Sequence, residues 1–239
     1  MLVIDAGNTS VKFARVARRH AVPRIMATVP TARLTATRVR AIIRAGEYQT
    51  AMASCVVPAA RKVLRKGCPF VSLISSSTRL DFSTLVDRRT VGADRLANMA
   101  QAAVRFGKSV LVADFGTAAT FDLLDGSGRF AGGAIAPGIR TLAGALSVNA
   151  AQLPAVDFVP PRRAAGRNTR EALRSGMVGG YAAMVCHMLR IMPSKHVVFT
   201  GGDARLVAKL TGAKVVIDPL WTLKGISVLA DPAAREASK

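Results

Sequence analysis

The sequence predicts an α/β protein of two duplicated lobes with a cleft between them. The first observation is a repeat: an apolar strand that ends in Asp and runs into a turn of Gly and small polar residues occurs as LVIDAGNTS and again as VLVADFGTA. The second is that strand-like and helix-like segments alternate along the chain, as in α/β domains. The third is length, since 239 residues exceed the usual size of one domain and allow either two packed lobes or one large domain. We predict lobes at residues 1–108 and 109–239.

The first lobe is predicted to open with a β-hairpin. The run from Leu2 to Asp5 is apolar and of strand length. The polar turn Gly7-Asn8-Thr9 then reverses the chain, and VKFARV is the returning strand. This arrangement places an acid at the tip of the first strand.

The rest of the first lobe is predicted to contain a helix and then a β-α-β unit. RLTATRVRAIIRAG has helical spacing of its apolar residues, and Gly46 is a suitable end. TAMASCVV and FVSLIS are strand-like, and AARKVLRKG between them has the pattern of a basic helix. The apolar residues expected on one side of the first helix are Leu34, Val39, Ile42 and Ile43.

A longer helix is predicted before the second Asp-tipped strand. The segment ADRLANMAQAAVRFG has apolar residues at helical spacing and ends in Gly, which suits a helix terminus. The second lobe then repeats the opening of the first, with AATFDLL as the strand after the turn and Asp125-Gly126 as the next turn. FAGGAIAPG follows as a Gly-rich strand. The apolar residues expected on one side of the helix are Leu96, Met99, Ala100, Ala103 and Val104.

A long helix is predicted in the second lobe. Asn168 and Glu171 have the spacing of a capping box at its start, and Pro193 ends it. Gly176 and Gly180 leave a smooth stretch that would let another element approach closely, either from this chain or from a second subunit. The apolar residues expected on one face are Leu173, Met177, Tyr181, Met184, Val185, Met188, Leu189 and Met192.

The last segments predict a strand, a helix and a further strand. HVVFTGGDA is strand-like up to a double glycine, ARLVAKLTG has helical spacing, and KVVIDPL is again strand-like. Gly201 and Gly202 would let the backbone pass close to a flat base or a ribose. The sequence contains neither GxxxxGK[ST] nor a kinase Gly-rich loop with a downstream HRD, so its motifs exclude the two commonest ATP-binding architectures.

Composition limits the class of protein. The formal net charge is +20, which raises the possibility of nucleic-acid binding. However, the basic residues are spread along the chain with no aromatic residues interleaved, so we predict a solvated basic surface that attracts anionic substrates. No stretch reaches the roughly 20 apolar residues of a membrane helix. The first apolar run is interrupted by Asp5, which argues against a signal peptide, and we expect a cytoplasmic protein.

The three cysteines predict no special chemistry. Cys55, Cys68 and Cys186 are scattered and lack the spacing of zinc ligands or of a disulfide framework. We therefore expect them to be buried, small hydrophobic residues in a reducing compartment.

The two Asp-tipped strands indicate a nucleotide site. Glycine lets the backbone approach a phosphate, Asn and Thr side chains and exposed N–H groups can bind its oxygens, and the carboxylate can hold a hydrated cation beside it. A single Asp-x-Gly sequence is often only a turn. Two copies, each on an apolar strand and each heading a lobe, favour an ATP clamp with Asp5 and Asp114 at its tips.

A third acid, Asp94, is a candidate for the catalytic base. Asp94 stands next to Arg95 at a predicted helix start, in VGADRLANMA. Phosphoryl transfer from ATP to a hydroxyl needs a base for the hydroxyl proton, and Asp94 suits that role. The adjacent guanidinium could bind a substrate carboxylate. The alternative is an acid at a helix N-terminus with no catalytic role.

The motifs resemble type III pantothenate kinase, a family of the actin-like ATPase superfamily. They are DAGNTSVK (Asp5 to Lys12), VGADR (Val91 to Arg95), DFGTAATFD (Asp114 to Asp122) and GGAIAPG (Gly132 to Gly138), in that order. The resemblance implies two ribonuclease-H-like lobes and ATP-dependent phosphorylation of pantothenate, the first step of coenzyme A synthesis. It also implies a homodimer.

The resemblance also implies roles for individual residues. The ATP phosphates would be held by Asp5, Ala6, Gly7, Asn8, Thr9, Ser10, Val11 and Lys12, with Asp5 near Mg²⁺. Thr117 would contact ATP, and Asp114 would bind a monovalent cation, K⁺ or NH₄⁺. Pantothenate would be bound by Gly92, Ala93, Asp94, Arg95 and Thr169, with Asp94 as the proton acceptor.

The sequence departs from the family pattern at one place. Members usually carry an aromatic residue and an Asn-Pro pair shortly before Gly-Ala-Asp-Arg, whereas this chain has STLVDRRTVGADR, with Leu85 at the aromatic position. Two alternative functions stay open at this stage. One is a kinase of the same superfamily that acts on another small alcohol, although a neutral sugar would leave Arg95 without a partner. The other is a noncatalytic regulator, although Asp5, Asp94 and Asp114 are all retained.

Overall fold

A computed structural model describes residues 1–17, 21–44, 46, 48–150 and 152–230. The strands are β1 (Leu2–Ala6), β2 (Ser10–Arg15), β3 (Arg24–Pro30), β4 (Ala51–Cys55), β5 (Val71–Leu73), β6 (Val110–Phe115), β7 (Ala118–Leu124), β8 (Phe130–Pro137), β9 (His196–Thr200) and β10 (Val216–Ile217). The α-helices are α1 (Ala36–Arg44), α2 (Pro58–Gly67), α3 (Ala93–Phe106), α4 (Ile139–Asn149), α5 (Thr169–Leu173), α6 (Gly180–Ile191), α7 (Ala204–Thr211) and α8 (Trp221–Leu229). A 3₁₀ turn covers Thr31–Arg33, and a π-helical turn covers Arg174–Gly179.

Contacts within the chain define two compact units. The first comprises Met1–Lys108, Leu124–Gly132 and the chain from Leu220 onward. The second comprises Ser109–Leu123 and Gly133–Pro219. The lobe boundary expected between residues 108 and 109 stays a prediction.

The sheet of the first unit has the strand order β3-β2-β1-β4-β5. The predicted hairpin is confirmed, because β1 pairs antiparallel with β2, with Asp5 opposite Lys12. On its other side β1 pairs parallel with β4. Strand β3 was not predicted. It lies at the edge of the sheet and buries only one of its residues, Val29, so its sequence lacks the alternation of a half-buried strand.

The two faces of this sheet are covered by different elements. Alternate residues of β1 and β4, such as Ile4 and Ala53, belong to an apolar core that includes α1 and α2 residues such as Val39 and Leu64. The predicted apolar side of α1 is confirmed by this packing. On the opposite face, α3 and α8 pack against each other and against β1 and β4. The side chain of Asp5 therefore projects from the face of the sheet that α3 and α8 cover.

Helix α8 was also not predicted. Its Trp221 is fully buried, and the indole Nε1 donates to the backbone carbonyl of Asn98 in α3 at 3.0 Å. Because α3 contacts both α8 and the sheet, it is buried on more sides than a surface helix. Leu96 is buried as predicted, but the prediction for Val104 was wrong, since this residue is 49% exposed.

The sheet of the second unit has the strand order β10-β9-β6-β7-β8. Strand β6 pairs parallel with β9, and Asp114 lies opposite Thr200. One face carries an apolar core to which Phe115, Phe121, Phe199 and Val207 contribute. Asp114 therefore projects from the other face, as Asp5 does in the first sheet, because side chains alternate along a strand.

The predicted long helix is interrupted. Asn168 caps it as expected, since its side chain accepts from the Glu171 N–H at 3.0 Å. The π-helical turn then separates α5 from α6 in a stretch that contains Gly176, Gly179 and Gly180. Such a turn inserts a residue and rotates the helical face. The predicted apolar face is accordingly divided: Tyr181, Val185 and the methionines of α6 pack in the core, whereas Leu173 and Met177 line a separate groove.

The cysteines follow the prediction only in part. All three are free thiols, and Cys55 and Cys68 are buried, but Cys186 is exposed on α6. Burial raises the pKa of Cys68 to about 11. No helix within the described residues has the length and apolarity needed to cross a membrane.

Candidate active site

The turn after β1 is held by main-chain and hydroxyl contacts. The N–H of Gly7 donates to the carbonyl of Ser10 at 3.1 Å, which closes the turn. Thr31 directly follows β3. Its Oγ1 donates to the Gly7 carbonyl at 2.7 Å, and its N–H donates to the Thr9 carbonyl at 3.0 Å. The side chains of Asn8 and Thr9 stay exposed. The turn thus has a fixed backbone and outward polar groups, as a phosphate-binding turn requires.

The Gly92-Asp94 segment forms the start of α3 and has an unusual local geometry. Gly92 is the N-cap residue, and the Asp94 carboxylate folds back over it. A Cβ atom on residue 92 would lie 2.5 Å from Asp94 Oδ1, so only glycine leaves room for this position of the carboxylate. Oδ1 accepts a hydrogen bond from the Arg95 N–H at 2.8 Å.

The environment of Asp94 makes it a stronger base than a solvated aspartate. Burial of its carboxylate raises the pKa above the ordinary value, and the Arg95 N–H and guanidinium offset this only in part. A base is most effective when its pKa approaches the working pH. The shift is therefore in the direction that proton abstraction from a hydroxyl needs.

The structure brings these two segments together around Val56. Its N–H donates to the carbonyl of Ala6 at 3.2 Å, next to the tip of β1. Its Cγ1 lies 3.6 Å from the Cβ position of Gly92. The turn after β1 and the Asp94 segment thus border the same residue of the first unit.

Arg95 lies beside the segment that departs from the family pattern. The Arg95 guanidinium carbon is 5.9 Å from the centre of the Phe130 ring. Phe130 is also hydrogen-bonded to the departing segment, since its carbonyl accepts from the Leu85 N–H at 2.9 Å and its N–H donates to Ser83. Leu85 is 60% exposed. One residue, Phe130, therefore connects Leu85 to the cation expected to bind the substrate carboxylate.

The second unit gathers three of the sequence motifs. Thr117, in the turn after β6, accepts at its carbonyl from the Gly138 N–H at 2.9 Å and from Thr141 Oγ1 at 2.6 Å. This joins the DFGT turn to the chain that follows GGAIAPG. The third motif, TGGDA, joins at Asp203, whose N–H donates to the Phe115 carbonyl at 3.0 Å.

Arg140 and Thr141 were missed by the sequence analysis. The carboxylate of Asp203, itself buried, accepts from Arg140 Nε at 2.8 Å, and the guanidinium also lies 5.2 Å from the centre of the Phe158 ring. The only sequence feature that could have indicated them is their position directly after GGAIAPG. Their roles depend on partners that are distant in the chain, Asp203 for Arg140 and Thr117 for Thr141. Thr141 holds the turn that carries Thr117 directly, whereas Arg140 acts through Asp203, which is hydrogen-bonded to Phe115 just before that turn.

Thr169 lies apart from the other site residues of the second unit. It is exposed at the start of α5 and lines an apolar groove of about 710 Å³ between α4, α5 and the π-helical turn. Leu142, Leu146 and Met177 are among the residues that line this groove. The groove can accept an apolar group but offers few polar partners.

The comparison with known proteins decides the family. The sequence model of type III pantothenate kinase matches residues 1–191. A type III pantothenate kinase from Akkermansia muciniphila is 36% identical over 240 residues, covering 96% of this chain and 97% of the relative. The chain belongs to the type III pantothenate kinase family. It is therefore an enzyme that phosphorylates pantothenate at the expense of ATP, the first step of coenzyme A synthesis.

Solved structures agree with the fold expected for this family. A Campylobacter jejuni protein assigned to a Baf family of transcriptional activators matches with a TM-score of 0.66 and 19% identity over 96% of both chains. The activator of 2-hydroxyisocaproyl-CoA dehydratase from Clostridium difficile, solved with bound ADPNP, matches with a TM-score of 0.57 and 13% identity over 99% of this chain and 97% of its own. At these identities the likeness shows the fold alone. The predicted actin-like ATPase fold class is confirmed.

The oxygen groups of this pantothenate kinase suit hard cations. No group of three or more His, Cys, Asp or Glu side chains in the described part of the chain could hold a metal ion by itself. Asp5 and Asp114 instead stand at strand tips next to backbone carbonyls and hydroxyl groups. Mg²⁺ keeps several waters and needs only one or two carboxylates together with the substrate phosphates. A single strand-tip carboxylate such as that of Asp5 therefore fits Mg²⁺ bound with ATP.

Proposed function

We propose that Asp94 is the general base of this pantothenate kinase. It removes the proton of the pantothenate hydroxyl as the oxygen attacks the γ-phosphate of ATP, with in-line displacement of ADP. The observation that supports this assignment is the partly buried carboxylate that lies over Gly92, with its raised pKa. The N-terminus of α3 and the Arg95 N–H keep the carboxylate in one position.

The proposal assigns the turn from Asp5 to Lys12 and Thr117 to ATP binding. The fixed backbone of the first turn and its exposed Asn8 and Thr9 support this role. Asp5 holds the hydrated Mg²⁺ and Asp114 a monovalent cation, K⁺ or NH₄⁺. Bound cations neutralise the charge that accumulates on the phosphates. A monovalent cation adds positive charge where acids and a triphosphate lie together.

Pantothenate is assigned to the segment from Gly92 to Arg95 and to Thr169. The Arg95 guanidinium pairs with the pantothenate carboxylate, and its position over Phe130 limits its motion. Leu85 offers an aliphatic surface in place of the usual aromatic residue. The proposed location is the cytoplasm, on the basis of the role of the family in coenzyme A synthesis.

An ADP-release assay tests this function and its cation requirement together. With ATP, Mg²⁺ and pantothenate we expect turnover in KCl or NH₄Cl and little turnover when NaCl replaces them at equal ionic strength. Simple sugars at the same concentration should release no ADP above the background of ATP alone. Turnover of a sugar but not of pantothenate would contradict the substrate, and equal rates in NaCl would contradict the monovalent site.

We also propose that the enzyme is a homodimer that uses the apolar groove beside Thr169. A Cβ atom on Gly176 or Gly180 would meet no described residue within 4 Å, so this stretch of the chain is open to a second subunit. Val148 of the adjoining α4 is 81% exposed and adds to the apolar surface that the described residues leave uncovered beside the groove. Sedimentation equilibrium should give twice the chain mass of 25.1 kDa. A monomer mass at micromolar concentration would contradict the proposal.

A further inference from the structure

Of the three buried hydroxyl groups without a hydrogen-bond partner among the described residues, one belongs to Tyr181 in α6 and the other two lie on β-strands. These two are Ser54 Oγ in β4 and Thr200 Oγ1 in β9. Ser54 is 0% and Thr200 1% exposed. An unpaired buried hydroxyl destabilises the fold relative to a paired one, so an apolar residue of the same size would be the more stable choice at either position.

Both hydroxyl groups occupy equivalent positions next to the strand-tip acids. Ser54 is the register partner of Asp5 in the parallel pair β1-β4, and Thr200 is the register partner of Asp114 in the parallel pair β6-β9. Register partners of neighbouring strands project to the same face of a sheet.

The core residues confirm these directions. Leu2, Ile4 and Ala6 of β1 and Ala51, Ala53 and Cys55 of β4 face the core of the first sheet, so Asp5 and Ser54 both project from the opposite face. In the second sheet Ala113 and Phe115 of β6 and Phe199 of β9 face the core. Asp114 and Thr200 accordingly share the other face.

The Asp114 carboxylate is also directed toward β9. A Cβ atom on Gly201, the residue after Thr200, would collide with Asp114 Oδ1 and with the Phe115 carbonyl oxygen. The carboxylate therefore lies over the chain immediately after Thr200. A cation at this carboxylate would lie on the same face of the sheet as the Thr200 hydroxyl, which lacks a partner among the described residues.

We propose that Thr200 Oγ1 is a further ligand of the monovalent cation at Asp114, and that Ser54 Oγ serves the hydrated Mg²⁺ at Asp5 in the same way. This inference rests on the cation sites of the proposed function and adds a ligand to each. A hydroxyl oxygen can coordinate a hard cation or accept from its water shell, which would satisfy each group only when the cation is bound. The duplication of the arrangement in both sheets matches the duplication of the Asp-tipped strands.

The test compares the thermal unfolding of wild-type enzyme, Thr200→Val and Thr200→Ser in KCl and in NaCl at constant ionic strength. Valine keeps the shape of threonine without its oxygen, whereas serine keeps the oxygen. For the wild type we expect the midpoint to rise with KCl. For Thr200→Val the KCl concentration at half-effect should increase about 10-fold or more, the loss expected for one charged contact. Thr200→Ser should respond to KCl as the wild type does.

The behaviour without K⁺ separates this role from a structural one. In NaCl, Thr200→Val should unfold at the same temperature as the wild type or higher, because it removes an unpaired buried hydroxyl. A lower midpoint by the same amount in both salts would mean that the hydroxyl has a protein partner, and the inference would be wrong. A wild-type response to KCl in Thr200→Val would overturn it equally, while the proposed function would stand.

Ser54 provides the second arm of the experiment. Ser54→Ala should raise the Mg²⁺ concentration needed for ATP binding, measured by calorimetry, and should leave the KCl response of unfolding unchanged. Thr200→Val should leave the Mg²⁺ requirement unchanged, so each variant is the control for the other. If Ser54→Ala leaves the Mg²⁺ requirement unchanged and Thr200→Val leaves the KCl requirement unchanged, the two hydroxyls are not cation ligands. If the wild type lacks any KCl response, the monovalent site of the proposed function fails first.

Discussion

Replacing Asp94 by Asn is expected to lower kcat by about 10²- to 10⁴-fold while ATP binding is kept. Asparagine has the shape of aspartate and can still accept the Arg95 N–H, but it cannot take a proton from the pantothenate hydroxyl. Steady-state ADP release gives kcat, and calorimetry gives the affinity for ATP. Full activity in Asp94→Asn would refute the role of Asp94 as the base.

The pH profile distinguishes a lost base from a general loss of structure. A base acts only when it is ionised, so wild-type kcat/KM should fall as the pH is lowered through the raised pKa of Asp94. The residual activity of Asp94→Asn should lack this acidic limb. Asp81→Asn, at an exposed acid outside the site, is the matched control and should keep both the rate and the profile.

Gly92→Ala tests the position of the same carboxylate. The new Cβ would force Asp94 Oδ1 to move, and a misplacement of about 1 Å can cost about 10²-fold in rate. Because the displaced atom is the end of a side chain, the free energy of unfolding should change little. Loss of activity with unchanged stability supports a positioning role for Gly92.

The stability of Asp94→Asn should change in the opposite sense to its activity. A carboxyl whose pKa is raised by burial destabilises the fold when it is ionised, relative to the unfolded chain. At pH 7 the variant should therefore unfold at a higher temperature than the wild type. The difference should shrink as the pH falls through the raised pKa, because the wild-type carboxyl then becomes neutral in the folded state.

Replacing Gly201 by Ala is expected to destabilise the second unit. The residue has a φ of +89°, which L-residues rarely adopt, and its Cβ would collide with Asp114 Oδ1 and the Phe115 carbonyl oxygen. Backbone strain and overpacking together should cost more than about 2 kcal/mol of stability. For a chain of this length that lowers the unfolding midpoint by roughly 4–8 °C. Thermal unfolding followed by circular dichroism measures this shift.

Gly202→Ala is the matched control for this prediction. It adds the same methyl group one residue later, where no described atom lies within 4 Å, and the backbone there does not require glycine. It should unfold near the wild-type temperature. Since only Gly201→Ala moves the Asp114 carboxylate, only this variant should also need more KCl for activity. Equal effects of the two substitutions would contradict the close packing of Asp114 against residue 201.

The sequence by itself determined most of the local elements and the family, and it predicted the site residues. The Asp-tipped strands, the hairpin and the cap of α5 at Asn168 follow from patterns within a few residues of each other, and the structure confirms them. The family was recognisable because its motifs are short, local and in a set order. Local patterns suffice where a residue's role depends on its neighbours in the chain.

Where sequence reasoning failed, the partner was distant. Helix α8 is stabilised by α3, through contacts such as Trp221 to Asn98, and the edge strand β3 is defined by its pairing with β2. The exposure of Val104 and the interruption of the long helix also depend on packing that no local pattern shows.

Only the tertiary structure decided how the site is held in place. It brought Arg140 to Asp203, placed the Asp94 carboxylate over Gly92, and set Ser54 and Thr200 beside the strand-tip acids. These contacts join residues from separate elements or depend on exact side-chain positions. The physical reason is that burial and steric exclusion act between atoms that are close in space, and the order of residues in the chain does not state which atoms those will be.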